Sequence, residues 1–383
     1  MKFSREIELR GHIVDSGILA KVMDLVVEYN GDFDTEEFSL GRQKTDPSYA
    51  KMKIGAETEE QLSQLISELR RVGALVIGEE EVSVATVTRA KVAPEGFYST
   101  TNHPTHIHFN NTWIPVENMK MDALIVVDKK HMTAKCLVQG KLMPGDTVVV
   151  GEEGVRVDFP ERPREMGVFE FMGGDVSSER PSLTLIRRVA AEILQMKKNG
   201  KKVALVGGPA IIHSGASDAV AAMVREGYID LIFAGNALAV HDLEHNIFGT
   251  SLGMNLKSGE LVTGGIMYEC IKNDTPFVLA GSIRDDGPLP DVIQNTIQAQ
   301  DEMRKYIVDP DLGMMLMVAT LLHSIAVGNL LPSHVKTICV DINPASVTKL
   351  MDRGTSQAIG MVSDAGIFLP SLLEALHELE KEE

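Results

Sequence analysis

The chain has 383 residues, 37 basic and 54 acidic, with a formal net charge of −17. That balance excludes a nucleic-acid binder that works by neutralising phosphates, and a hydrophobic share of 44% excludes a disordered chain. Three cysteines, Cys136, Cys270 and Cys339, none in CxxC spacing, argue against a disulfide scaffold and suit a reducing cytosol. The N-terminus MKFSREIELRGHIV has no signal-peptide core. No run reaches the ~18–20 apolar residues that span a bilayer. The expectation is a soluble cytoplasmic protein of two or three domains, without membrane or nucleic-acid partners.

Residues 1–92 read as a small α+β domain. Phe3 to Val14 alternates like a strand, and Asp15 and Ser16 offer caps for a helix over Ile18–Tyr29. Asn30-Gly31 ends that helix. Strands are expected around 33–41 and 49–55. Thr58-Glu-Glu-Gln61 is a capping box for a second helix through Arg71. Val82–Val92 reads as the last strand. The order βαββαβ is that of a ferredoxin-like fold.

Residues 93–180 read as a small β domain. Short strands at 123–127, 134–138 and 147–150 lie between Gly, Pro and Asp turns. Met143-Pro-Gly-Asp146 is a turn, and Glu153-Gly154 suggests a hairpin. The polar stretches PERPREMG and VSSERP close the segment.

Residues 181–383 read as an α/β domain. Pro181 opens a helix that Gly200 ends. Six short apolar runs then alternate with helical stretches: VALVG (203–207), LIFAG (231–235), FVLAG (277–281), MMLMVA (314–319), TICVD (337–341) and AIGMVS (358–363). Such strands belong to a parallel sheet covered on both faces.

Ligands of open parallel sheets bind outside the carboxyl ends of the strands. Those ends supply Gly207 and Gly208, Asn236 and Ala237, Ser282, Thr320 to His323 (with Leu321 and Leu322 between), Asp341 and Asn343, and Asp364 and Ala365. Glycines admit close backbone approach, helix N-termini can face a phosphate, and a carboxylate such as Asp341 can accept two ribose hydroxyls. The set suits a dinucleotide. The usual G-x-G-x-x-G is absent: GGPAIIHSG stands there instead. Asp230, at the customary spacing for a ribose carboxylate, falls at the start of a strand.

His103, His106 and His108 form a run that could ligate zinc, but no fourth ligand is evident and no metal is expected. His241 and Asp242 follow the second strand end. Asp242 either caps a helix or faces the cleft. The cysteines and the lone Trp113 read as core residues. Glu179 and Arg180 join two domains, where active-site clefts commonly lie.

Four stretches carry a resemblance: FYSTTNHPTHIHFNNTWIPVENMKMDALIVV (97–127), CLVQGKLMPGDTVVVGEEGVRV (136–157), VSSERP (176–181) and AGNALAVHDLE (234–244). The first three resemble the family named for a conserved region of plant lysine-ketoglutarate reductase/saccharopine dehydrogenase. The last resembles archaeal-type ornithine cyclodeaminases and the C-terminal region of the cyanobacterial arginine dihydrolase/ornithine cyclodeaminase. No counterpart of the arginine-dihydrolase domain is read in the chain, so that activity is not implied.

The resemblance implies a Rossmann-like NAD domain without the glycine fingerprint. It also implies a tightly held NAD and conversion of L-ornithine to L-proline and ammonia. In that chemistry a hydride leaves Cα, the δ-amine closes a five-membered ring, ammonia departs and the hydride returns. By position, Arg180 would hold the carboxylate and Glu179 or Asp242 an ammonium. His241 or Asp364 would be the base, and Asn102 and Thr105 would orient substrate. A saccharopine-type dehydrogenase and a non-catalytic amino-acid sensor remain the alternatives. A homo-oligomer, dimer or tetramer, is expected.

Overall fold

The computed structural model describes residues 2–11, 13–14, 17–41, 46, 48–77, 81–158, 183–248, 264–282, 289–353 and 358–382. The chain divides into two compact units, Met1–Phe171 and Met172–Glu383.

The first unit opens with β1 (Phe3–Gly11), α1 (Ile18–Glu28), β2 (Asp32–Ser39), β3 (Ser48–Ala56), α2 (Glu59–Arg71) and β4 (Leu75–Ile77). The sheet order β2-β3-β1-β4, antiparallel where β1 meets β3 and β4 and where β2 meets β3, is the ferredoxin-like arrangement. Alternation puts Ile7, Leu9, Met52 and Ile54 on one face, against Val22 and Val26 of α1 and Leu65 and Leu69 of α2. The N-cap of α1 is Gly17; Asp15 and Ser16 lie outside the described residues. Half of the predicted capping box forms. The Gln61 N–H donates to Thr58 Oγ1 at 3.2 Å, while the Gln61 side chain donates to the Tyr29 carbonyl at 2.6 Å, tying α2 to the end of α1.

The rest of this unit is a second sheet. Its strands are β5 (Ser83–Thr86), β6 (Thr105–Phe109), β7 (Thr112–Glu117), β8 (Leu124–Asp128), β9 (Thr133–Leu137), β10 (Thr147–Val150) and β11 (Val155–Val157). The order is β11-β6-β7-β9-β8-β10-β5. Two expectations are corrected here. The strand predicted over 82–92 is the short β5, and it pairs with β10 rather than closing the ferredoxin-like sheet, whose fourth strand is β4. Glu153-Gly154 is no hairpin, since β10 and β11 pair with different strands at opposite ends of the order. Ile107, Ile114, Ile125, Val127 and Val149 fill the main core beneath this sheet.

The second unit alternates helices with parallel strands. In chain order these are α3 (Leu183–Lys198), β12 (Lys202–Gly207), α4 (Ala210–His213), α5 (Ser217–Arg225), β13 (Leu231–Ala234), α6 (Asn236–Phe248), α7 (Ile266–Lys272) and β14 (Phe277–Leu279). Next come α8 (Thr296–Ile307), β15 (Leu312–Val318), α9 (Leu321–Gly328), β16 (Lys336–Asp341), α10 (Pro344–Arg353), β17 (Ile359–Val362) and α11 (Ala365–Glu382). Each of the six predicted apolar runs is a strand. All pairings are parallel, in the order β14-β13-β12-β15-β16-β17. Numbered from β12, that is the doubly wound order 3-2-1-4-5-6 of dinucleotide-binding sheets. Every residue of β13 and β15 is buried, which explains the unbroken apolar runs.

Candidate active site

The sheet order reverses between β12 and β15, so the loops leaving their carboxyl ends diverge and leave a crevice. Gly207 ends β12, and the next N–H, of Gly208, donates to the Val318 carbonyl at 3.0 Å. A Cβ on Gly208 would lie 1.9 Å from the Ala319 carbonyl oxygen. Only glycine lets the two loops meet there. Ala319 is itself left-handed, with φ of 54°. Thr320 is the N-cap of α9, yet its side chain makes no cap bond; its Oγ1 lies 3.5 Å from His323 Nδ1. His323 Nε2 lies 3.0 Å from the Ala280 carbonyl, which fixes that nitrogen as the N–H donor. A Cβ on Gly235 would meet His323 Cε1 at 2.8 Å, so the imidazole from α9 lies against the end of β13. Leu321 packs on the core and Leu322 is exposed.

The remaining strand ends are built as capped turns. Asn236 Oδ1 accepts the Leu289 N–H at 2.9 Å, with Ala237 next in α6. Ser282 lies just beyond β14. Asp341 Oδ1 accepts the Asn343 N–H at 2.8 Å, and Asn343 Oδ1 accepts the Ala345 N–H at 2.9 Å where α10 begins. Asp364 Oδ1 accepts the Gly366 N–H at 2.7 Å at the start of α11, where Ala365 is the first residue. A Cβ on Gly366 would meet the Ser214 carbonyl at 2.5 Å, so the start of α11 adjoins the end of α4. All the predicted cofactor residues thus fall along one edge of the sheet. Asp230 lies at the other edge, where its carboxylate binds Lys197 Nζ at 2.6 Å and the Val203 N–H at 2.8 Å.

Adjacent residues of α6 have different tasks. Asp242 is buried and takes the capping alternative. Its Oδ1 accepts from Ser217 Oγ (2.8 Å), the Ile266 N–H (3.0 Å) and Asn246 Nδ2 (3.2 Å), and its Oδ2 from the Met267 N–H (2.8 Å). The carboxylate therefore closes the N-terminus of α7. Gly265 precedes that helix with φ of 100°; a Cβ there would meet Asn246 Nδ2 at 2.3 Å. Burial, with Asp242 and Glu269 nearby, pushes the Cys270 thiol up to about 12. His241 is half-buried. Its Nδ1 lies 3.5 Å from Glu244 Oε2 without hydrogen-bond geometry, and its ring meets that of His213 edge-on at 4.6 Å.

In the first unit Asn102 and Thr105 are buried, and Thr105 Oγ1 donates to the His103 carbonyl at 2.9 Å. His106 faces Asp158 at 3.1 Å, while His108 stacks on Trp113 at 5.0 Å. Among the described residues no three His, Cys, Asp or Glu side chains converge on a metal-sized site. Trp113, expected in the core, is 40% exposed between His108 and the Arg156 guanidinium, which lies 5.0 Å from its ring centre. The three cysteines are buried, as expected. Glu179 and Arg180 lie outside the described residues.

Sequence reasoning missed His213, Ser217, Asn246 and Ala319. A histidine in the loop after the first parallel strand was a usable signal for His213. Nothing in sequence marks Ser217 and Asn246 as partners of Asp242, and only Gly208 hints at the tight turn of Ala319.

Three family profiles match the chain. The LOR/SDH bifunctional enzyme conserved region covers 4–103, and the first region of the arginine dihydrolase ArgZ-like C-terminal part covers 104–186. The ArgZ-like C-terminal Rossmann fold covers 187–266 and 259–372. The ornithine cyclodeaminase of Methanocaldococcus jannaschii is 52% identical, over 99% of this chain and 98% of its own. The chain belongs to the LOR/SDH-related ornithine cyclodeaminase family. The crystal structure of apo ArgZ, a cyanobacterial arginine dihydrolase, superposes with a TM-score of 0.81 at 37% identity over 99% of this chain; this chain spans 59% of that one. The ternary complex of AgrE with ornithine and NAD+ has a TM-score of 0.50 at 36% identity, over 100% of this chain and 58% of its own. Among the described residues no helix is long and apolar enough to cross a membrane.

Proposed function

We propose that this member of the family is an NAD-dependent ornithine cyclodeaminase, converting L-ornithine to L-proline and ammonia. The observation that carries the reading is the 52% identity, end to end, with an archaeal ornithine cyclodeaminase. The residues of the crevice fit a dinucleotide. Gly208 lets the loops after β12 and β15 meet at the switch point, with backbone rather than a side chain bordering the crevice, and Asp341 offers Oδ2, unmet by any donor among the described residues, to a ribose hydroxyl. Gly207 and Gly208 would face the pyrophosphate, with Asn236, Ser282, Thr320, His323, Asn343 and Ala365 along the same edge.

When bound, NAD supplies a hydride acceptor at Cα and later returns the same hydride, so the conversion is redox-neutral. The chain's own groups do the rest. His241 takes the proton of the α-ammonium; the edge-on His213 and Glu244 at 3.5 Å support it as the base. Asp364 is the weaker candidate, because one of its oxygens is already committed to the Gly366 N–H. Asp242, fully engaged as a cap, fixes α6 and thereby the position of His241. From their places in the sequence alone, Arg180 is assigned to the substrate carboxylate and Glu179 to the far ammonium, with Asn102 and Thr105 as further candidates for substrate contact. The proposal keeps three segments, the ferredoxin-like, the β and the Rossmann-like, with the first boundary moved from residue 92 to ahead of β5, in a cytoplasmic homo-oligomer.

Purified protein supplied with L-ornithine and catalytic NAD should yield proline and ammonia in equal amounts with no net NADH. Stoichiometric NADH would instead establish an amino-acid dehydrogenase. Absence of turnover, with NAD bound, would overturn the reading.

A further inference from the structure

In the first unit, lined by none of the residues assigned above, a cavity of about 600 Å³ opens on the β8–β9 hairpin. That volume is in the range of small-molecule sites, roughly 300–1,000 Å³. Lys129, Lys130, Lys135 and Lys141 line it. In a chain whose net charge is −17 this is a local reversal of sign. Among the described residues, Lys129, Lys130 and Lys135 have no carboxylate partner.

The two carboxylates of the cavity are already engaged by other donors. Asp128 Oδ1 accepts the N–H groups of Lys130 (2.9 Å) and His131 (3.0 Å), and its Oδ2 meets His131 Nδ1 at 2.8 Å. This bonding holds the Asp128 carboxyl down at about 2, so it stays a committed anion. Asp146 Oδ2 accepts the Met143 N–H at 2.8 Å. The Asp128 carboxylate thus shapes the turn that displays Lys129 and Lys130. The lining is also partly apolar. Pairing sets Val126 opposite Lys135, and Leu137 follows two residues along on the same side. Met143, 59% exposed, stands at the opening turn.

We propose that this cavity binds the polyphosphate group of a small anion, with its lysines on the phosphates and Val126, Leu137 and Met143 against the remainder of the molecule. Lysine serves such groups as a point charge, and a ligand of several negative charges relieves the mutual repulsion of the ammonium groups. Nothing in ornithine chemistry requires this site, so it stands or falls independently of the catalytic reading.

The test uses the full chain with saturating NAD, so that the crevice of the second unit is occupied. ATP, tripolyphosphate and inorganic phosphate are titrated by calorimetry at two salt concentrations. The expected result is saturable one-to-one binding of ATP or tripolyphosphate, weakened by salt. Affinity should fall at least tenfold in Lys129→Gln/Lys130→Gln/Lys135→Gln, with ornithine turnover unchanged. Tighter ATP binding would identify a nucleotide as the source, and equal binding a free polyphosphate; both support the site. Should the triple variant melt early, Lys135→Gln alone must still weaken binding severalfold. The proposal is overturned by no saturable binding of either compound, or by undiminished binding in the variants.

Discussion

At Gly208 one hydrogen atom decides whether the loops after β12 and β15 can meet. With a Cβ only 1.9 Å from the Ala319 carbonyl, Gly208→Ala must push the two backbones apart at the mouth of the crevice. Overpacking of this kind costs about 1–3 kcal/mol. The melting temperature should fall, and NAD recovered after denaturation should drop below that of the parent; full NAD retention would show that the crevice lies elsewhere. His241 and Asp242 make a paired prediction because they are neighbours with different tasks. Asp242→Ala strips a buried acceptor from two backbone N–H groups and Ser217. Each unsatisfied group costs about 1–3 kcal/mol, so the loss should appear as lowered stability in denaturant melts. His241→Asn should leave those melts unchanged and lower kcat by about 10²–10⁴. Sequence could place both residues behind the second parallel strand, but not separate them. A helix turns about 100° per residue, and which of two neighbours faces the core depends on what packs there, here the start of α7.

Elements were legible where periodicity and burial agree. The six parallel strands are apolar on both faces, so their sequence has one reading, and their carboxyl ends could be listed from turn residues alone. Strands with one wet face were less secure in partnership than in existence. Val82–Val92 does hold a strand, but alternation does not say which sheet receives it, and β5 joins β10. Glu153-Gly154 suggests a hairpin for the same reason: turn chemistry describes the bend, while the pairing of β11 is with β6, a strand about fifty residues upstream. A large ring in a sequence points to a core, yet Trp113 is 40% exposed. It is covered instead by His108 and Arg156 from neighbouring strands. As the only tryptophan, it reports on this edge alone. Arg156→Ala should shift its emission to the red and lower stability by about 0.5–1 kcal/mol, the worth of an exposed cation–π contact. An unmoved emission spectrum would mean that the guanidinium does not rest on the ring in solution.

For the whole molecule, the cysteines convert burial into a measurable rate. Cys136 lies in the core of the first unit, and Cys270 and Cys339 lie in the second. Burial pushes both thiols of the second unit up to about 12. At pH 8 the thiolate, the reactive form, is then on the order of 10⁻⁴ of each. An aromatic disulfide reagent should count three thiols in denaturant, while Cys270 and Cys339 should react in the native protein only as fast as their surroundings open. Opening is a local free energy, and a ligand that binds only the closed form raises it by RT ln(1 + [L]/Kd). Adding NAD should therefore slow Cys270 and Cys339 in proportion to its concentration above Kd. Cys136 should keep its own rate if the units open separately. Mass spectrometry of the labelled peptides separates the three sites. Protection of Cys136 equal to that of the other two would show the chain opening as one cooperative body. Prompt labelling of Cys270 or Cys339 with NAD bound would contradict the packing that holds α7 and β16 in place.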